Sequence, residues 1–179
     1  MKRIIHIAFL CVAFAALTFT AKAAEPVVKT GIEVLRDRNF EILKGKRVGL
    51  VTNPSGVDRF LNSTVDILFN APDVELVALY GPEHGVRGDV YAGGHVTDTK
   101  DEATGLPVYS IYGATRKPTP QMLEGIDVMV YDIQDVGVRS YTFISTLGLV
   151  MEACGEKGIE VVVLDRPNPL GGNKIEGCF

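Results

Sequence analysis

The stretch "IDVMVYDI" at positions 126–133 is the part of the sequence that most directly predicts the fold. It does not alternate between polar and apolar residues, which is typical of a strand buried on both faces of a parallel sheet. Three further strong runs have the same character: "RVGLVT" (47–52), "VELVALY" (74–80) and "IEVVVLD" (159–165). A weaker strand is predicted at "LPVYSIY" (106–112). The sequence therefore predicts a mainly parallel sheet of about five strands.

Helical patterns lie between these strands. The first two are "GIEVLRDRNFEILKG" (31–45) and "DRFLNSTVDILFN" (58–70). They are followed by a short helix at "TPQMLEG" (119–125) and a longer apolar one at "SYTFISTLGLVMEACGEKG" (140–158). The resulting order, β-α-β-β-α-β-α-β, predicts an open α/β sheet with right-handed crossover connections.

The first 23 residues have the composition of a secretory signal peptide. "MKR" is basic, residues 4–20 are apolar, and Ala21-Lys22-Ala23 is a small-x-small cleavage signal. Export to the periplasm or the extracellular space is therefore expected, and the alternative interpretation of the apolar run is a membrane anchor. No second apolar segment is long enough to span a bilayer.

The charge of the expected mature chain, residues 24–179, limits the classes of partner that it could bind. Removing the three basic residues of the first segment from the 18 in the sequence leaves 15, against 22 acidic residues, for a net charge of −7. A negatively charged protein is a poor partner for nucleic acids or anionic membranes. The mature length suits a single domain with a real hydrophobic core.

Four polar loops rich in Gly or Pro follow the four strong strands. In chain order they read "NPSGVD", "GPEHGVRGD", "QDVGVRSY" and "RPNPLGG". Open α/β sheets bind ligands in the crevice outside the carboxyl ends of their strands. All four loops follow such strand ends, so we expect them to lie at the same edge of the sheet. The sequence thus predicts a shared, polar pocket there.

Several residues of these loops are candidates for chemistry. Glu83 follows a proline, and a carboxyl group held at a partly desolvated strand end can donate a proton near neutral pH. The alternative is a solvated loop acid that caps a turn. In the segment 131–143, Asp132 and Gln134 share a face of the strand, Asp135 falls on the bend, and Arg139 follows. Acids beside an arginine indicate either a structural ion pair or a substrate pocket.

Two further loops contain residues that could either bind a ligand or stabilise the loop itself. Arg166 could bind a carboxylate through two parallel hydrogen bonds, or it could tie two loops together. The Asn53-Pro54 turn could donate amides to a ligand, or it could only close a bend.

Metal and nucleotide sites have little support in the sequence. His84 and His95 could bind a metal with Glu83, Asp89 and Asp98, but their spacing matches no zinc-protease motif or thiolate cluster. The sequence contains no G-x-G-x-x-G after the first strand, no P-loop and no G-x-S-x-G elbow. No cofactor is therefore predicted.

Five ordered motifs resemble a known family. They are "GLVTNPSGVD", "LYGPEHGVRGD", "VYSIYG", "MVYDIQDVGVRSYTFISTL" and "VLDRPNPLGG", within a match that runs from about Gly31 to Gly172. The chain resembles the secreted exo-β-N-acetylmuramidases of the NamZ type. The resemblance implies that residues 24–179 form a Rossmann-like catalytic domain with helices on both faces of the sheet. It also implies a smaller C-terminal domain, which is absent here, so the chain is expected to be truncated and the missing domain to pack on this one.

The resemblance also implies an activity. The expected reaction releases terminal N-acetylmuramic acid from a peptidoglycan-derived muropeptide or disaccharide by acid/base catalysis. Glu83 is the expected catalytic acid, with Asp132 or Asp135 as nucleophile or base. The residues expected to bind substrate are Asn53, His84, Arg87, Gln134, Arg139, Tyr141, Asp165, Arg166 and Asn168. Two alternatives stay open: a non-catalytic periplasmic carbohydrate-binding protein and a metal-dependent hydrolase.

Overall fold

A computed structural model describes residues 28–88, 91 and 98–177 of the chain. The predicted signal peptide at residues 1–23 lies outside the described residues. The described helices are α1 (Gly31–Asp37), a 3-10 helix (Glu41–Leu43), α2 (Thr64–Phe69) and α3 (Phe143–Lys157). The strands are β1 (Arg47–Thr52), β2 (Glu75–Gly81), β3 (Thr99–Lys100), β4 (Pro107–Ser110), β5 (Val128–Asp132) and β6 (Glu160–Val163). Within these ranges no helix is long and apolar enough to cross a membrane.

All six strands belong to one sheet, in the order β3-β4-β2-β1-β5-β6. Strand β1 lies at the centre and pairs in parallel with both β2 and β5, and the outer pairs β2–β4 and β5–β6 are also parallel. The predicted α/β class and mainly parallel sheet are confirmed. The unpredicted strand β3 is antiparallel to β4 and only two residues long, so it leaves no hydrophobic pattern in the sequence.

Apolar clusters on the two faces of the sheet form the core. Val48 and Leu50 of β1 belong to the cluster that contains residues of α1 and α2. Val51 of β1 and Met129 of β5 belong to the other cluster, which contains Val150 of α3. Successive strand residues point to opposite faces, so a strand covered on both sides is apolar at every position. The expected helices on both faces are confirmed.

The predicted helix over 31–45 is wrong beyond Asp37. Asn39 and Phe40 both have left-handed backbones, with φ of 51° and 53°. The amide of Asn39 donates to the carbonyl of Arg36, and the chain continues as the short 3-10 helix. After this reversal Phe40 and Leu43 are buried in the core.

The predicted helix over 58–70 is also shorter than expected. The buried carboxylate of Asp58 accepts hydrogen bonds from the amides of Phe60 and Asn62, which stabilises a turn in place of a helical start. Helix α2 instead begins after Ser63, whose hydroxyl caps the amide of Val65. The short helix predicted at 119–125 is wrong, because these residues form turns. The longest predicted helix is confirmed as α3.

The order of the strands identifies the position of a ligand crevice. From β1 the chain proceeds outward through β2 and β4, and it then crosses to β5 and β6 on the other side. The reversal therefore falls between β1 and β5. Sheets of this type bind ligands outside the carboxyl ends of the strands at such a point.

Candidate functional site

A cleft of about 650 Å³ opens at the carboxyl edge of the sheet. Residues 53–55 line it from the loop after β1, and residues 83, 84 and 88 line it from the loop after β2. Residues 140–143, at the start of α3, form the third wall. A volume of this size is in the range of small-molecule sites.

Glu83 lies on a tight turn in this cleft. The amide of Gly85 donates to the carbonyl of Pro82 (2.9 Å), and His84 has a φ of 73°, which fits the third position of a type II turn. The hydroxyl of Tyr112 donates to Oε1 of Glu83 (2.9 Å), and the hydroxyl of Thr142 donates to Oε2 (3.2 Å). The half-buried carboxylate is thereby held by groups from two other elements.

The loop after β1 is folded against both neighbouring loops. Asn53 is buried, and its side-chain oxygen accepts from the amide of Ser55 (2.9 Å), while the hydroxyl of Ser55 accepts from the amide of Gln134 (2.9 Å). Gly88 has a φ of 79°, and a Cβ there would lie 2.6 Å from Cγ of Pro54. A side chain at position 88 would therefore push the second loop away from the first.

Asp132 is placed beneath the rim and not in the cleft. Its side chain is fully buried, and Arg166 donates to Oδ1 through Nε (2.6 Å) and to Oδ2 through Nη2 (2.9 Å). The hydroxyl of Thr64 also donates to Oδ2, and Nη2 of Arg166 reaches the carbonyl of Val57 (2.9 Å). The pair thus ties the loops after β1, β5 and β6 together, and both of its charged groups are occupied.

Arg87 is similarly engaged within the protein. It donates two hydrogen bonds to Asp101 (2.8 and 3.1 Å) and two to Asp66 (2.9 and 3.2 Å). These hydrogen bonds lower the pKa of the buried Asp101 carboxyl below its usual value. The guanidinium therefore joins the loop after β2 to helix α2 and to the turn after β3.

The remaining predicted polar residues cluster between the loops after β5 and β6. The side chain of Gln134 donates to the carbonyls of Asp135 (2.6 Å) and Pro167 (2.9 Å). The carboxylate of Asp135 accepts from the amide of Gly137 (2.6 Å), and the side-chain oxygen of Asn168 accepts from that of Leu170 (2.9 Å). These groups order the two loops.

A second, smaller cavity of about 100 Å³ lies beside this loop cluster. Asp135 and Asp165 line it, and Phe143 separates it from the cleft that contains Glu83. The structure therefore places Glu83 and Asp135 against different cavities.

Tyr141 and Arg139 lie at the entrance to α3. The side chain of Tyr141 is 48% exposed and lines the cleft, with its ring centroid 6.4 Å from that of Phe143. Arg139 is exposed on the same loop. Exposed aromatic rings beside a polar cleft are suited to packing against the apolar face of a sugar.

The predicted metal ligands are only partly described. His95 and Asp89 lie outside the described residues, and Asp98 accepts a hydrogen bond from the amide of Ser110 (2.8 Å). Among the described residues no group of three His, Cys, Asp or Glu side chains is arranged to hold a metal ion.

Tyr112 and Thr142 were not predicted from the sequence. Tyr112 ends the predicted strand 106–112, so its position at the carboxyl edge could have marked it as a rim residue. Thr142 lies at the start of α3, where its residue type indicates a helix cap and conceals its contact with Glu83.

Comparisons of sequence and structure identify known proteins that are similar to this chain. A family model described as "Exo-beta-N-acetylmuramidase NamZ, N-terminal" matches residues 48–179. The chain is 58% identical over 155 residues to the "Peptidoglycan beta-N-acetylmuramidase NamZ" of Bacillus subtilis (strain 168), an alignment that covers 87% of this chain and 37% of that protein.

Two crystal structures of DUF1343 family proteins from Bacteroides fragilis NCTC 9343 are also similar. One is 65% identical with a TM-score of 0.78, covering 85% of this chain and 38% of that one. The other is 31% identical with a TM-score of 0.63, covering 80% and 36%. The chain thus spans less than two fifths of the length of each of these relatives.

Proposed function

The chain belongs to the NamZ family through that family's N-terminal domain, and on this premise we propose that it carries the catalytic cleft of an exo-acting glycoside hydrolase. The proposed reaction releases terminal N-acetylmuramic acid from peptidoglycan-derived muropeptides or disaccharides. The similarity to the B. subtilis protein supports this substrate class. The observation that carries the proposal is the position of Glu83 in a cleft at the carboxyl edge of the sheet.

We assign Glu83 as the acid that protonates the leaving glycosidic oxygen. Of the described residues that line the cleft, it is the one carboxylic acid. Glycosidic cleavage requires such a proton donor and a second group that stabilises an oxocarbenium-like transition state or activates water. Asp135 lines the smaller cavity on the other side of Phe143, and it is our candidate for the second group because its side chain is exposed, whereas that of Asp132 is fully buried against Arg166.

We assign Asp132, Arg166 and Arg87 to supporting the cleft walls. Each has its charged group occupied by partners inside the protein. Muramic acid carries a lactyl carboxylate, and Arg139, which is exposed on the loop leading to α3, is our candidate to bind it. Tyr141 would pack against the sugar ring.

We further propose that a C-terminal domain packs over this rim and completes the cleft. Four apolar side chains on loops at the carboxyl edge are strongly exposed: Phe60 (72%), Leu61 (80%), Tyr141 (48%) and Leu170 (69%). Exposed apolar side chains on one edge of a protein can mark a surface that another domain covers. From residues 1–23 we also propose export to the periplasm or the extracellular space, which N-terminal sequencing of the mature protein beginning at Ala24 would test.

A pair of chromogenic substrates tests the function. The full-length protein is incubated with an N-acetylmuramide and with the matching N-acetylglucosaminide, each with and without a chelator. We expect release from the first substrate only, and no effect of the chelator. Equal release from both would contradict the substrate assignment, whereas binding of N-acetylmuramic acid without turnover would favour a carbohydrate-binding protein. Loss of activity with the chelator would favour a metal-dependent hydrolase.

A further inference from the structure

We propose that the hydroxyls of Tyr112 and Thr142 form a clamp that positions the Glu83 carboxylate for reaction. The inference rests on the proposed role of Glu83. Tyr112 and Thr142 are positioning residues in this scheme, because they act through Glu83 and not on the reacting atoms. No family motif or sequence pattern assigned either hydroxyl this role.

The geometry of the clamp is two-sided. Tyr112 follows β4 and reaches Oε1 of Glu83, while Thr142 precedes α3 and reaches Oε2, at 2.9 and 3.2 Å. The terminal torsion of a glutamate side chain is otherwise broad, so a single donor would leave the carboxylate free to turn. Donors on both oxygens, supplied from opposite sides of β2, fix its plane. Fixed orientation of a proton donor is a large part of its catalytic value.

Thr142 provides an independent sign of this role. It occupies the N-cap position of α3, where a threonine hydroxyl normally accepts a hydrogen bond from an amide of the first turn. Here the side chain makes no such cap and donates to Glu83. The helix therefore loses a stabilising contact, as expected where a side chain serves a site at the expense of local structure.

The surroundings of the carboxylate keep Tyr112 available as a donor. Its hydrogen bond to Glu83 is the main cause that raises the pKa of Tyr112 above its usual value, burial adds to this, and nearby Arg116 opposes it. Two other titratable groups line the cleft with Glu83: His84, in the same turn, and Tyr141, in the cleft wall. Hydroxyl donors favour the charged carboxylate, and a hydroxyl can turn to accept when the acid is protonated. The clamp thus serves both protonation states.

Tyr112→Phe in the full-length protein tests the clamp by kinetics, with Tyr109→Phe as the matched control. Tyr109 lies in β4 itself, and its ring packs against Tyr80. We expect Tyr112→Phe to lower kcat by about 10- to 100-fold with KM changed by less than about threefold. The limb of the pH profile set by Glu83 should rise by about one pH unit, since one donor to the charged form is lost. Thr142→Val should also lower kcat and shift the same limb of the pH profile upward. Thr142→Ser keeps the hydroxyl group, so it should retain the activity of the wild type.

A second readout does not depend on turnover. The carboxyl carbon of Glu83, identified by its loss in Glu83→Gln, is titrated by NMR in protein labelled with ¹³C-glutamate. We expect its midpoint to rise by about one pH unit in Tyr112→Phe and to stay constant in Tyr109→Phe. An unchanged midpoint in Tyr112→Phe would overturn the clamp. Failure of the wild-type protein to cleave the N-acetylmuramide would instead overturn the proposed function, and the NMR titration would still decide the clamp.

Discussion

Carboxylates on the two sides of the same sheet edge are held in different ways. On the side of α1, the carboxylates of Glu33, Asp58 and Asp132 are buried and each accepts a hydrogen bond from an arginine. On the side of the cleft, Glu83 is only half-buried, and hydroxyl groups hold both of its oxygens. The first three carboxylates form closed ion pairs, whereas Glu83 lines a cavity.

The two groups of carboxylates differ in their partners and in their access to a cavity. A buried carboxylate paired with an arginine has its charge compensated, so it braces loops and resists solvent. A carboxylate that accepts hydrogen bonds from hydroxyl groups on both oxygens, as Glu83 does, is held in place while it still lines a cavity. Both sides contain acidic residues, and the predictions below test whether their different surroundings give them different roles.

The arginine-paired side should be broken most severely by Arg166→Ala. This change leaves Asp132 as an uncompensated buried charge, and breaking such a pair typically lowers the free energy of unfolding by 3–5 kcal/mol. Both side chains are almost fully buried, so we expect a loss of about 5 kcal/mol. Urea unfolding of the wild type and the variant measures the loss.

A double variant separates charge from packing at this pair. Asp132→Asn with Arg166→Met removes both charges while keeping similar volumes, so we expect it to recover more than about half of the lost stability. If Arg166→Ala alone lowers the free energy of unfolding by less than about 1 kcal/mol, the ion pair does not hold these loops together.

The cleft side should respond in activity and not in stability. Glu83→Gln keeps the shape of the side chain but cannot donate a proton, so we expect kcat/KM for an N-acetylmuramide to fall about a thousandfold, equivalent to about 4 kcal/mol. The midpoint of thermal unfolding should change by less than about 2 °C. A variant that keeps near wild-type activity would remove Glu83 from the catalytic role.

Acid should weaken the arginine-paired side, with a smaller effect than that of Arg166→Ala. The hydrogen bond from Arg59 is the main cause that lowers the pKa of Glu33 to about 2. Burial acts to raise the pKa of Asp58, but hydrogen bonds from Asn62, Arg36 and Phe60 outweigh it and bring the value to about 2. Depressed values mean that both carboxylates stabilise the fold above pH 4.5 and lose that contribution as the pH falls toward 2.

Unfolding measured between pH 7 and pH 2 tests this pH dependence. Glu33 should contribute about 2 kcal/mol at neutral pH, a figure discounted for solvent at the partly exposed Arg59. Glu33→Gln should therefore be less stable than the wild type at pH 7 and nearly equal to it near pH 2. A constant difference between the two proteins across this range would contradict the assignment.

The strands of the sheet were predictable because a strand that is buried on both faces is apolar at nearly every position. The continuous apolar run at 47–52 corresponds to β1 residue for residue. The helices predicted at 31–45 and 58–70 are longer than the observed ones. Asn39 and Phe40 adopt left-handed backbones after the end of the first, and Asp58 binds the amides of its own turn and delays the start of the second. Helical spacing of apolar residues does not encode such local competition.

The position of the candidate site was predictable, but the partners of its residues were not. The fold rule for parallel strands sends the loops to one edge, and residues of three loops do line one cleft. The sequence alone left open whether Arg166 binds a ligand or ties loops together, and the structure places it against Asp132 and Val57. Pairings of this kind depend on side chains that are distant in the chain, so residue type and spacing cannot select among them.

The smallest effect we expect lies in the backbone of the cleft turn, and it sharpens the contrast between the two sides. His84 has a φ of 73°, a conformation that glycine adopts without strain and other residues do not. His84→Gly and His84→Ala both remove the imidazole, but only the first relieves the backbone. We therefore expect the glycine variant to be more stable than the alanine variant by about 1 kcal/mol, as measured by urea unfolding. Equal stabilities would mean that the turn is not strained at His84.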